Sequence, residues 1–169
     1  MIQLDFDFDQ PDIDEAVTFI NKPFPPELCG SLDYWIPNAH VVFTINGDTF
    51  ELLPKTPVLE FAVQLNEIVH TIKVGEIRKL LLLESGITLR FYLLDSSILA
   101  VDARGLSSPC WLAEMQAASE KFCSKVLQEI QTKIPGYFEF MDRLPEGTTT
   151  RQESPSEQRL RLLRLFGTQ

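Results

Sequence analysis

The stretch Glu76–Ala103, EIRKLLLLESGITLRFYLLDSSILAVDA, constrains this chain more than any other. It holds three apolar runs separated by Ser85-Gly86 and by Asp95-Ser96-Ser97. Ile87, Leu89, Phe91 and Leu93 alternate with Thr88, Arg90, Tyr92 and Leu94, the two-residue period of a strand. Ser-Gly and Asp-Ser-Ser are turn chemistry, so the stretch predicts a three-stranded antiparallel meander. Leu80–Leu83 does not alternate. A strand apolar on both faces is normally covered on both, which places this run in the centre of the sheet.

Other strands and helices gather around the meander. Ile2, Leu4, Phe6 and Phe8 alternate with Gln3, Asp5, Asp7 and Asp9, the pattern of a half-buried strand. Asp12 with Glu15 three residues on resembles a capping box, and Ile13, Val17 and Ile20 follow at helical spacing. Pro23, Pro25 and Pro26 make residues 22–38 a loop, which carries Phe24, Tyr34 and Trp35. Val41–Leu53 predicts a hairpin about Asn46-Gly47-Asp48, since Asn-Gly adopts the positive φ angles of a tight turn.

Thr56-Pro57 reads as a cap and first helical position, opening an amphipathic helix to about His70 on Val58, Phe61, Ala62, Leu65, Ile68 and Val69. Ser108-Pro109 reads the same way. It opens a second helix to about Ile134, with Trp111, Met115, Ala118, Phe122, Val126 and Ile130 as its stripe. Tyr137–Met141 is an aromatic coda over the core. The expected class is therefore α+β: an antiparallel sheet of about five to six strands packed against two main helices. Residues 1–141 form the domain, 142–156 a polar linker and 157–169 a short basic amphipathic segment. For that segment a frayed tail, a helix docked on the acidic body and a homodimer contact are all weighed.

Charge narrows the function. The net charge is −9, and residues 1–60 alone hold 11 acids against Lys22 and Lys55. Such a field repels nucleic acid and anionic membrane and attracts basic partners. Cys29, Cys110 and Cys123 are an odd number without metal spacing, which suits a reduced, cytoplasmic protein. MIQLDFDF lacks the features of a signal peptide, and no apolar run reaches membrane-spanning length.

Asp5-x-Asp7-x-Asp9 invites a calcium loop, but Gln10 and Ala16 stand where an EF-hand needs Gly and Glu. Cys29 and His40 as a nucleophile–base pair have no supporting motif. Arg78, Lys79, Arg90 and Arg104 are weighed as a phosphate pocket and read instead as single bases on the solvent side of the sheet. No metal, cofactor or catalytic residue is expected.

The hairpin INGDTFELL, the helix PVLEFAVQLNEIV, the leucine-rich meander and the long following helix, over about residues 40–134, together resemble the small acidic immunity proteins of bacterial polymorphic-toxin and contact-dependent-inhibition systems. The resemblance implies a cytosolic protein that binds one toxin domain, often a basic nuclease, and blocks it. The expected contact residues are Asp5, Asp7, Asp9, Asp12, Asp14 and Glu15, with Tyr34 and Trp35 as aromatic anchors. The alternatives are a phage-type inhibitor or DNA mimic that fills a nucleic-acid channel, and a small ligand-binding domain.

Overall fold

The computed structural model describes residues 1–21, 38–82 and 86–141. Tyr34 and Trp35, the expected linker and the basic C-terminal segment lie outside them. Seven strands and four helices are described: β1 (Ile2–Asp7), α1 (Gln10–Ile20), β2 (Asn38–Ile45), β3 (Asp48–Pro57), α2 (Val58–Thr71), β4 (Ile77–Leu82), β5 (Ile87–Leu93), β6 (Ile98–Ala103), β7 (Leu106–Trp111), α3 (Leu112–Lys133) and α4 (Tyr137–Met141).

The class is α+β. All strand pairs are antiparallel, but they fall into two sheets, β1-β2-β3 and β4-β5-β6-β7, where one sheet of five to six strands was expected. α2 and α3 pack on each other; α2 touches β2, β3 and β4, while α3 touches β1 and β7. Buried side chains from both sheets and every helix form one continuous core.

A chain of aromatic rings threads that core. Phe6 of β1 meets Phe122 of α3 edge-on at 5.5 Å, and Phe122 meets Phe61 of α2 at 5.7 Å. Phe61 meets Phe43 of β2 at 6.3 Å, and Phe43 stacks on Phe50 of β3 at 5.2 Å. Edge-to-face pairs add roughly 0.5–1.5 kcal/mol each to what burial already contributes. The aromatic coda is α4, with Tyr137, Phe138 and Phe140 all buried and Phe140 against Phe19 of α1 at 5.5 Å.

Three expectations are corrected. Leu80, Leu81 and Leu82 of the leucine run lie in an edge strand, β4, and not a central one. Leu80 and Leu82 are buried, but Leu81 is 52% exposed and Ile77 62%. The outward side of this strand is apolar yet uncovered. Ser108-Pro109 also starts no helix, whereas Thr56-Pro57 ends β3 directly before α2, which opens at Val58 with Pro57 as its N-cap. Pro57 ends β3 and Pro109 lies within β7, each an edge strand of its sheet. An edge strand can carry proline without breaking the ladder, because one side of its backbone has no strand to bond. α3 therefore begins at Leu112, and Trp111, expected in its buried stripe, is 56% exposed at its N-cap. Finally, α1 begins two residues earlier than expected, with Asp9 as N-cap and no side-chain capping bond. Asp12 sits in its first turn, where a carboxylate favours the positive end of the helix dipole.

The Asn46-Gly47 turn takes positive φ at both residues, 53° and 96°, as a tight hairpin turn requires. It also joins the two sheets. Asn46 Nδ2 donates to the Pro109 carbonyl at 2.8 Å, and the Ser108 hydroxyl donates to the Asp48 carboxylate. Both partners sit on β7, so the turn that closes one sheet is bolted to the edge of the other.

Candidate functional site

The expected acidic contact residues run without interruption along β1 and α1. On β1, Phe6 is buried, and the alternation leaves Asp7 exposed and Asp5 half-buried on the other side. On α1, Ile13, Ala16 and Phe19 face the core, which leaves Asp14 and Glu15 in solvent and Asp12 partly covered.

Two of these acids meet cationic or titratable neighbours. Lys125 Nζ of α3 lies 2.5 Å from Asp5 Oδ1 and 5.2 Å from the centre of the Phe6 ring. That hydrogen bond holds the Asp5 carboxyl below its ordinary value, helped by the Phe6 backbone N–H and opposed by partial desolvation. Asp9 Oδ1 lies 3.4 Å from His40 Nε2. Asp14 accepts from the neutral Gln10 amide at 2.8 Å. Asp7 and Glu15 enter no ion pair among the described residues.

The other candidates divide clearly. Cys110 and Cys123 are buried, and desolvation pushes their thiols up to about 11 and about 12, far from the thiolate a nucleophile needs. Cys123 is a helix-packing residue, its Sγ 3.1 Å from the Ala62 carbonyl of α2. Cys29 lies outside the described residues, so its pairing with His40 does too. His70 belongs to the α2–α3 seam: Nδ1 is 2.9 Å from the Asn66 carbonyl and Nε2 is 3.0 Å from Glu120 Oε1. Beneath it, buried Asn66 and Ser119 meet at 3.0 Å, and Gln116 donates to the Val69 carbonyl at 2.9 Å. This polar seam sets the register of two otherwise apolar helix faces.

No family model matches this chain, and no curated protein or solved structure matches it. Function must be argued from the surface itself.

Among the described residues, no three His, Cys, Asp or Glu side chains come together to hold a metal ion, and no helix is long and apolar enough to cross a membrane. Of the four bases beside the meander, Arg78 is engaged by Glu76 at 3.1 Å and by Thr71 at 3.0 Å. Lys79 and Arg90 stand opposite each other on the outward face of β4 and β5, and Arg90 stands opposite Asp102 of β6. Arg90 and Arg104 line one cleft, although the sequence pattern reads them as single bases on the solvent side of the sheet. The outward face of β4–β7 also displays Ile77, Leu81, Leu94 and Trp111, four of the largest exposed apolar side chains.

Proposed function

We propose that this protein is a binding protein whose β1–α1 unit engages a basic protein partner, as an immunity protein engages its cognate toxin domain. One observation carries the reading: Asp7, Asp14 and Glu15 are exposed along a continuous strand–helix unit, and no described cation of the chain itself pairs with them. A nuclease cleft is basic because it holds phosphates. A row of carboxylates competes for that site and accelerates encounter, while buried contacts at the centre supply the affinity.

The placement of the charge supports this use. β1 is an edge strand, and acids on an edge also keep it from pairing with strands of other chains. That protective role alone accounts for Asp5 and Asp7 but not for Asp14 and Glu15, which lie on a helix.

The test begins by capturing the partner from the native host and identifying it. Affinity is then compared between the wild type and the triple variant Asp7→Lys, Asp14→Lys and Glu15→Lys over a salt series. The expected result is slower association and a flatter salt dependence in the variant. Unchanged affinity and salt slope would remove these residues from the interface.

A further inference from the structure

We infer that the cleft at the β6–β7 hairpin is a binding site for a small anion that also carries a hydrogen-bond donor. The inference is independent of the acidic unit, so either can fail without the other.

The cleft has a volume of about 450 Å³ and is lined by Thr88 and Arg90 of β5, Asp102 of β6, Arg104 and Gly105 of the hairpin, and Ser107 of β7. Strand register assembles it: Arg90, Asp102 and Ser107 lie directly opposite one another across β5, β6 and β7. Arg104 adds a second guanidinium from the turn. Neither arginine is ion-paired with a carboxylate among the described residues. Two guanidinium forks beside a hydroxyl suit a phosphate or a carboxylate, which arginine binds through paired, charge-assisted hydrogen bonds.

Two further features point to a ligand. The first is Asp102 Oδ1, which is buried without a hydrogen-bond partner. A buried carboxylate oxygen lacking a donor is costly, and a turn of the Asp102 side chain into the cleft would let an ammonium or hydroxyl on the ligand satisfy it. The second is the backbone of Arg104, whose φ of 51° lies in the left-handed region, followed by Gly105 at 83°. The comparable turn in the other sheet uses Asn46-Gly47, and asparagine occupies that region far more readily than arginine. The hairpin therefore places arginine where the backbone favours asparagine or glycine, which marks the side chain as the reason for its presence.

The strained position also makes the test clean, because Arg104→Asn and Arg104→Gly remove the guanidinium while suiting the turn. The full-length chain is titrated by calorimetry with inorganic phosphate, acetate and phosphoethanolamine. The expected result is saturable one-to-one binding, with phosphoethanolamine tightest because its ammonium meets Asp102. Arg104→Asn should bind about tenfold more weakly while unfolding at the same or a higher denaturant concentration. Arg90→Gln, at an exposed strand position, should weaken binding in the same way. Asp102→Asn should tighten inorganic phosphate and abolish the advantage of phosphoethanolamine. A preference for acetate over phosphate would assign the site to a carboxylate ligand of the same form. Absence of saturable binding by all three probes, or equal binding by Arg104→Asn and the wild type, would overturn the inference.

Discussion

Asn46 shows how much one side chain can do in this fold. It holds a backbone conformation few residues adopt readily, and it reaches across to the Pro109 carbonyl of the other sheet. Asn46→Gly separates these roles, since glycine tolerates the turn but makes no side-chain bond. Two bonds go, the one to Pro109 and the one Oδ1 accepts from the Met1 ammonium at 2.7 Å, so the expected loss is about 1–3 kcal/mol, read from urea unfolding. Asp5 offers a second residue-scale prediction. Its carboxyl is held below the ordinary 3.8 by Lys125, so the ion pair contributes fully above that value. The contribution is lost as pH falls through the lowered value. Half of each side chain is solvent-exposed, so screening limits the effect to about 0–1 kcal/mol. In acid titrations between pH 5 and 2, roughly the range in which a paired carboxylate protonates, Asp5→Asn should narrow the stability difference shown by the wild type.

Among the elements, those with strict periodicity were legible in the sequence and those set by neighbours were not. β1, β2, β3, β5 and α2 follow from alternation or from three- and four-residue spacing. The Ser108-Pro109 pair misled because a proline accepted in an edge strand looks, one residue at a time, like a proline opening a helix. β7 was lost with that error, and with it the second sheet's fourth strand. The leucine run misled for another reason: apolar character on both faces says nothing about whether both faces are covered. The acids of β1 and α1 could be listed from the sequence, but Lys125 lies 120 residues from Asp5, and no local pattern links them. The Arg90–Arg104 cleft needed the strand register. At this scale Phe122 of α3 is the joint between β1 and α2, touching both Phe6 and Phe61. Phe122→Ala should cost about 3–5 kcal/mol in chemical denaturation, more than any single change at the surface.

At the scale of the whole molecule, the two sheets differ in what they show to solvent. Asp7, Asp14 and Glu15 are exposed on β1–α1, whereas Ile77, Leu81 and Trp111 and the cleft-lining Arg90 and Arg104 belong to the β4–β7 sheet. If the exposed apolar patch limits solubility, Leu81→Lys should raise the concentration at which the protein stays monodisperse in light scattering without lowering its unfolding midpoint, because Leu81 is 52% exposed on the outward side of an edge strand. The aromatic chain has a different consequence, one that concerns the order of events during synthesis. β1 leaves the ribosome well before α3, yet the ring that covers Phe6 belongs to residue 122 and the cation that reaches Asp5 to residue 125. β1 must therefore wait, half-clothed, until α3 has been synthesised before its apolar side is sealed from solvent and from chaperones.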